Sequence, residues 1–229
     1  RRGGFGGSAN PAGVARANDA VVRGVTGQSG SGGGVGRVAG TDRGSGFDAV
    51  VVGAGPAGSL VSHRLASLGV RTLVVDRSRF PRGKLCGGCL AQAGQRTLEA
   101  AGLASCMADA PEIDRLWLRT GKRSLNLAIP AYRVVDRSSF DLRMIEAAVA
   151  AGVEFRDGVG AQARPDGTLE LDGRGSTETL RPRVVIIADG LGGSSLRGYP
   201  GFSWRVSARS HVGIGGLLDS MPPGVGRDA

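Results

Sequence analysis

The sequence predicts an α/β fold in which a parallel sheet carries a nucleotide site and part of an antiparallel sheet follows. Three observations predict this fold. A β-branched run, Asp48–Val52, enters a glycine turn that is followed by apolar residues at helical spacing. A second apolar run, Arg71–Val75, ends at Asp76. Further along, near residues 112–135, apolar and polar residues alternate as in a half-exposed antiparallel sheet.

Length and composition indicate a globular protein. The chain has 229 residues, of which 41% are hydrophobic and 21% charged. Its 29 Lys and Arg exceed its 20 Asp and Glu, but the excess is spread along the chain without a basic stripe. We therefore expect no nucleic-acid partner.

Hydropathy predicts a soluble cytoplasmic protein. No apolar run approaches the roughly 18 residues of a membrane span, and the N-terminus lacks the apolar centre of a secretory signal. We expect no transmembrane segment, whereas peripheral membrane contact and the oligomeric state stay open.

Residues 1–46 are predicted to be a disordered tail rich in glycine and arginine. They contain 15 glycines and six arginines and almost no large apolar residue, so ordering them would not recover its entropy cost. A transit peptide is the alternative. Residues 47–229 are predicted to form the folded domain. The chain opens with Arg and closes without an obvious terminal element, which predicts a fragment of a longer protein.

The glycine turn has the spacing of a dinucleotide-binding fingerprint. Gly53 permits the tight turn out of the strand, Gly55 lets the backbone approach a pyrophosphate, and Gly58 lets the helix lie close to the strand. The first helical turn, with Pro56 and Ala57, presents N–H groups and a positive dipole end to phosphates. The turn, its two strands and the helix predict a Rossmann-like FAD/NAD(P)-binding domain.

The acid after the second strand favours particular dinucleotides. Asp76 lies 18 residues beyond Gly58 and can accept hydrogen bonds from ribose hydroxyls. Its charge would repel a 2′-phosphate, which favours FAD or NAD over NADP. The neighbouring Arg77 and Arg79 weaken that argument.

A glycine-rich loop follows, with the sequence FPRGKLCGGCL over residues 80–90. Gly87 and Gly88 would let backbone amides lie against a flat ligand, and Lys84 adds positive charge. Such a loop could hold an isoalloxazine ring; a surface connection is the alternative.

Two cysteines in this loop form a CxxC pair, Cys86 and Cys89. Read alone, the pair could be a redox dithiol or half of a zinc site. Because Cys106, His63 and His211 lie at no ligand-like spacing, we expect no metal.

The second half of the chain predicts a further helix and further strands. Ser138 is predicted to cap a helix, with Asp141 completing a capping box, and a strand is predicted at Val153–Phe155. The buried face of that helix is predicted to comprise Phe140, Met144, Ile145 and Ala148.

Val184–Ile187 is predicted to be a central strand. Asp189 and Gly190, at its carboxyl end, are candidates for a second phosphate or ribityl contact; an ordinary Asp-Gly turn is the alternative.

Three stretches resemble the geranylgeranyl reductase family, whose members are flavoproteins built like para-hydroxybenzoate hydroxylase. The segment FPRxKxCGGxL at residues 80–90, RxxFD at residues 137–141 and ADG at residues 188–190 appear in the family's order. The resemblance implies FAD as cofactor, with Cys86 beside the flavin and Arg137 aimed at the cofactor. Cys89 departs from the family, which usually has glycine there, and Ser194 and Arg197 each lie one residue later than the family's pattern.

The resemblance also implies a function. It predicts an FAD-dependent oxidoreductase that reduces an apolar, isoprenoid-like alkene, with NAD(P)H as a candidate electron donor. Segments near 112–135 and 203–229 would belong to an incomplete substrate-domain sheet, in which Trp117, Tyr132 and Trp204 are candidates for an apolar pocket. An FAD-dependent monooxygenase and a non-catalytic nucleotide-binding fragment are the alternatives. No catalytic residue can be assigned.

Overall fold

The structure is a computed structural model that describes residues 46–210 apart from 174, 204 and 206. These residues belong to one compact unit, Asp42–Ala229. The predicted tail, except for Gly46, lies outside the described residues. So do Trp204 and most of the predicted sheet segment 203–229.

Ten strands and three α-helices occur in the part of the chain that the structure describes. In chain order they are β1 (Ala49–Val52), α1 (Pro56–Ser67), β2 (Thr72–Asp76), β3 (Cys89–Leu90), α2 (Gln92–Ala100), β4 (Glu112–Thr120), β5 (Arg123–Val134), α3 (Arg137–Ala150), β6 (Glu154–Asp157), β7 (Gly160–Ala163), β8 (Leu169–Gly173), β9 (Ser176–Leu180) and β10 (Val184–Ile187). A short 3-10 helix, Ala104–Met107, follows α2. The predicted α/β fold is confirmed, with one parallel sheet and two antiparallel sheets.

The parallel sheet has the strand order β10, β1, β2, β6. Both faces of its two inner strands are covered. On one face Val50 and Leu73 pack against Leu169 and Leu171 of β8. This explains why β1 and β2 are continuous apolar runs rather than alternating ones.

The predicted central position of β10 is wrong for the described residues. There β10 forms an edge of the parallel sheet, and Val184 is 52% exposed. A continuous apolar run indicates at most that both faces of a strand are covered. It does not indicate which strands pair with it, and so it does not give the position of the strand in the sheet.

Helix α1 lies close to the sheet on small residues. Gly58, Ser59 and Ser62 are its buried residues, and the two serine hydroxyls donate to backbone carbonyls, Ser59 Oγ to Ala54 O and Ser62 Oγ to Ser59 O. Leu68, the last of the apolar residues at helical spacing after the glycine turn, is 73% exposed. The close approach leaves room only for small side chains, so the larger apolar ones pack at the sides.

Helix α3 begins differently from the prediction. Asp136, not Ser138, is the N-cap, and its carboxylate accepts hydrogen bonds from the N–H groups of Ser138 and Ser139. Asp141 therefore does not complete a capping box. The predicted buried face is confirmed, and Asp141 joins it as a fully buried residue.

The predicted antiparallel sheet near 112–135 is present. Strands β4 and β5 form a long hairpin to which β3 adds, and a second sheet has the order β7, β8, β9. Four leucines, Leu116, Leu118, Leu125 and Leu127, pair across one face of the long hairpin and are 39–52% exposed. Trp117 is 54% exposed, and its place in an apolar pocket stays a prediction.

Candidate functional site

The candidate site lies where β1, β2 and β10 end. Two backbone hydrogen bonds tie these strand ends together: Gly53 N donates to Val75 O at 2.7 Å, and Ala188 N donates to Val52 O at 2.7 Å. A cavity of about 220 Å³ opens at this edge. It lies at the carboxyl ends of parallel strands, where open α/β sheets bind ligands.

Each fingerprint glycine has its own steric reason. Gly53 has a φ of +102°, and a Cβ there would lie 2.5 Å from the carbonyl oxygen of Ala188. A Cβ on Gly58 would overlap the carbonyl oxygen of Gly53. A Cβ on Gly55 would meet only Arg82, with Nη2 at 3.7 Å. Gly53 and Gly58 are thus required for close packing of the backbone, whereas Gly55 keeps open the space beside Arg82.

The start of α1 presents its backbone to the turn as predicted. Pro56 occupies the first helical position, where the missing N–H costs nothing, and Gly55 is the N-cap residue without a side chain. First-turn N–H groups such as that of Ala57 have no partner within a helix. They are suited to an anionic group.

Asp76 braces the glycine turn. It is 8% exposed; its Oδ2 accepts the Ala54 N–H at 2.8 Å, and its Oδ1 accepts the Ser78 N–H at 2.8 Å. Each carboxylate oxygen can accept more than one hydrogen bond, so capacity for ribose hydroxyls remains. The ribose contact stays a prediction.

Arg82 is a site residue that the sequence reasoning missed. Its side chain is 12% exposed, and its Nη2 lies 3.6 Å from Asp76 Oδ2 and 3.3 Å from Asp141 Oδ2. Its guanidinium stacks over Phe80 at 4.9 Å from the ring centroid. Its Nε and Nη1 are buried without a hydrogen-bond acceptor, although Arg82 lines the cavity. Buried donors are normally paired, so these two indicate a place for an anionic ligand.

We expect Arg82→Met to weaken FAD binding about 10- to 150-fold, because a charge-assisted hydrogen bond contributes about 1.5–3 kcal/mol. Fluorescence titration of the chain with FAD measures this. Arg71→Met is the control, since Arg71 pairs with Asp48 outside the site. Equal weakening in both variants would contradict a specific role for Arg82.

On the other side of Arg82, Arg137 and Cys86 meet. Arg137 donates to both oxygens of Asp141, each at 2.8 Å, so the predicted capping role of Asp141 is replaced by an ion pair. A hydrogen bond from the Gly88 N–H, and next to it one from Arg137, hold the pKa of the exposed Cys86 thiol below its ordinary value. Gly88 has a φ of +69°, which favours glycine at this point of the loop.

The pKa shift of Cys86 predicts selective alkylation. A lowered pKa means that the thiolate, which is the reactive form, is present at a lower pH than for an ordinary thiol. We expect iodoacetamide to modify Cys86 with a midpoint below about 8.5, the ordinary thiol value. Burial raises the pKa of Cys106, which we expect to react slowly. Peptide mass spectrometry across pH measures both; a higher midpoint for Cys86 than for Cys106 would refute the prediction.

The loop after β10 is tied down by Asp189. Its Oδ2 accepts hydrogen bonds from Ser195 N at 3.0 Å and Ser195 Oγ at 2.6 Å, and Ser195 is 4% exposed. A Cβ on Gly193 would overlap this carboxylate. Ser195 rather than Ser194 is therefore the serine that the Asp-Gly motif uses. Because a carboxylate repels phosphate, a ribityl hydroxyl suits Asp189 better than a phosphate does.

The structure separates the predicted site residues into three groups. Five line the cavity, namely Gly53, Asp76, Arg77, Lys84 and Asp189. Gly55, Pro56, Ala57, Gly58 and Gly190 shape the two turns beside it. Cys86, Gly87, Gly88 and Arg137 do not line the cavity and gather beyond Arg82.

The described residues offer neither a membrane-spanning helix nor a cluster of metal-binding side chains. No helix among them is long and apolar enough to cross a membrane. Within the same residues, no group of three His, Cys, Asp or Glu side chains could hold a metal ion.

The strand, glycine turn, helix, strand and acid around one cavity define an α/β dinucleotide-binding protein. The particular family is the FAD binding domain family, whose model matches residues 47–219, and the chain belongs to it. FAD is the dinucleotide of this family. The site fits FAD, since its open glycine turn and unpartnered Arg82 donors suit a pyrophosphate.

Known relatives agree with the family. The chain is 30% identical to a menaquinone reductase of Mycolicibacterium smegmatis, over 76% of this chain and 44% of the relative. It is 33% identical to digeranylgeranylglycerophospholipid reductase 1 of Methanopyrus kandleri, over 63% of this chain and 40% of the relative. These matches confirm the resemblance to geranylgeranyl reductase-like flavoproteins.

A solved structure shares the fold. The flavin-dependent brominase Bmp2 superposes with a TM-score of 0.55 at 26% identity, covering 63% of this chain and 38% of the brominase. The chain thus spans less than half the length of the relatives that it matches.

Proposed function

We propose that this chain is the FAD-binding part of an oxidoreductase that reduces an apolar, isoprenoid-like alkene. The observation that carries the proposal is the contact between two of the three motifs that resemble geranylgeranyl reductases: Arg82 of the 80–90 segment lies 3.3 Å from Asp141 of the 137–141 segment. Asp189 of the third motif lines the same cavity as Arg82. Two relatives named as reductases support it.

The chain's own residues would bind and orient the cofactor. Backbone N–H groups of the first α1 turn and the donors of Arg82 would hold the pyrophosphate. Asp76 would accept ribose hydroxyls and Asp189 ribityl hydroxyls. Gly87 and Gly88 would leave a flat face of the loop for the ring system.

The FAD held by these residues would, when reduced, supply the hydride for one alkene carbon and so become oxidised, and solvent would supply the proton for the other carbon. We propose a reduced nicotinamide, NAD(P)H, as the donor that restores reduced FAD. An isoprenoid-like chain offers few polar groups, so apolar surface must recognise it. The leucine face of the β4–β5 hairpin supplies such surface in the described chain.

The experiment is anaerobic. FAD bound to the protein is reduced with dithionite, and a geranylgeranyl lipid is added in the absence of oxygen. The proposal expects the oxidised flavin absorbance to return with one saturated double bond per flavin, measured by mass spectrometry. No return of absorbance with bound, reduced FAD would refute the proposed reaction.

A flavin-dependent oxygen-activating enzyme is the second candidate. Similarity to the brominase Bmp2 favours it, since that protein shares the fold at 26% identity. Substrate-dependent oxygen uptake with no anaerobic turnover would select this candidate. Bound FAD that supports neither reaction would select a nucleotide-binding role without catalysis.

A further inference from the structure

One buried carboxylate, Asp141 of α3, joins two arginines, Arg137 from the start of the same helix and Arg82 from the loop that follows β2. It is fully buried, and Arg137 contacts both of its oxygens at 2.8 Å. Arg82 approaches Oδ2 at 3.3 Å from the loop that follows β2. Arg82 and Asp141 are 59 positions apart, so the fold alone brings them together.

The two arginines face different parts of the candidate site. Arg82 lines the cavity and lies beside Gly55, with two donors left over for a ligand. Arg137 is held by both oxygens of Asp141 and is one of the groups that lower the pKa of the Cys86 thiol. Asp141 itself does not line the cavity, so any effect that it has on the site must act through the arginines.

The two arginines are held by Asp141 in different ways. The bidentate pair fixes the plane of the Arg137 guanidinium, whereas a single charge nearby would leave a long side chain free to rotate. Arg82 approaches Oδ2 alone through its Nη2, and its own plane is set by stacking on Phe80. Burial strengthens the effect, because an unpaired carboxylate in the interior is costly and both arginines are held to it.

We propose that Asp141 is a positioning residue of the FAD site, which fixes Arg82 at the glycine turn and Arg137 at the Cys86 thiol. The proposal rests on FAD binding in this cavity for its first half. Its second half concerns the thiol alone and needs no cofactor.

The pKa of the Cys86 thiol distinguishes the positioning of Arg137 by Asp141 from a simple effect of the Asp141 charge, because the two change this pKa in opposite directions. The negative charge of Asp141 raises the pKa of Cys86, whereas the hydrogen bond from Arg137 lowers it. The Gly88 N–H also lowers it and does not depend on Asp141. Removing the charge alone would lower the pKa; releasing Arg137 would raise it.

The experiment compares Asp141→Asn with Asp109→Asn, both in a Cys89→Ser background. Asp109 is exposed and pairs at 2.9 Å with Arg143, which lies on α3 as Asp141 does, so it is an ion-pair control on the same helix surface. Cys86 alkylation is followed against pH without cofactor, and FAD affinity is titrated separately. We expect Asp141→Asn to raise the Cys86 midpoint and weaken FAD binding about tenfold or more. We expect Asp109→Asn to change neither.

A second variant covers the risk that Asp141→Asn does not fold. Asp141→Glu keeps the charge but displaces both guanidinium groups by one methylene; we expect a raised Cys86 midpoint and weaker FAD binding. An unchanged or lowered midpoint in a folded variant would overturn the proposal. So would loss of the fold in both, which would make Asp141 structural. A raised midpoint in a protein that reduces no alkene would keep this inference and reject the proposed function.

Discussion

Gly55→Val is expected to abolish FAD binding while the protein stays folded. The backbone at Gly55 has φ −74° and ψ −178°, which valine adopts readily, and a Cβ there would be 3.7 Å from Arg82 Nη2. The added methyl groups would occupy the approach of the pyrophosphate to the first turn of α1. Loss of several charge-assisted hydrogen bonds would weaken binding by more than about 100-fold.

The measurement is bound flavin released by denaturation, beside circular dichroism to verify the fold. Cys89→Ser is the control, because Cys89 is exposed on β3 and lies outside the cavity lining. We expect it to bind FAD as the unaltered chain does. Equal loss of FAD in both variants would point to an essential dithiol, and wild-type affinity of Gly55→Val would place the pyrophosphate elsewhere.

Gly58→Ala is expected to lower the stability of the fold, whereas Gly55→Val is expected to leave the protein folded. A Cβ at this position would overlap the carbonyl oxygen of Gly53, so α1 would have to move away from β1. Overpacking a close contact costs about 1–3 kcal/mol, and a backbone atom cannot rotate away as a side chain can. We expect a net loss of at least about 2 kcal/mol, which lowers Tm by about 4–8 °C.

The matched control is Gly94→Ala. Gly94 is the third residue of α2, as Gly58 is of α1, but its Cβ would meet the terminal methyl of Leu90, which can rotate. We expect a change within about 1 kcal/mol, with helix propensity favouring alanine. Thermal unfolding measures both variants. A Gly58→Ala protein as stable as Gly94→Ala would show that α1 does not need this close approach.

Several features of the site were predictable because they depend on short segments. The turn, helix, second strand and Asp76 form a contiguous unit in which each residue's role follows from the local backbone. The glycine requirements at 53 and 58 are confirmed by the contacts that a Cβ would make. The carboxyl ends of β1 and β10 meet because parallel strands point the same way.

Other local details were decided only by the structure, because neighbouring residues suit the same role. Asp136 and Ser138 both suit an N-cap, and only the start of α3 at Arg137 decided between them. Ser194 and Ser195 are adjacent, and the hydrogen bonds to Asp189 selected Ser195. The sequence pattern therefore locates the residue that has each role to within one or two positions.

The parallel βαβ core, the glycine turn and the kind of ligand that it suits can be predicted from the amino-acid sequence, because they follow from local backbone conformation and apolar periodicity. The burial of Arg82 between Asp76 and Asp141, and the influence of Arg137 on Cys86, become evident only in the folded chain. Oppositely charged side chains attract one another at any sequence separation. Their pairing is therefore set by which loops the packed sheet brings within a few ångströms, and no local pattern in the chain encodes that distance.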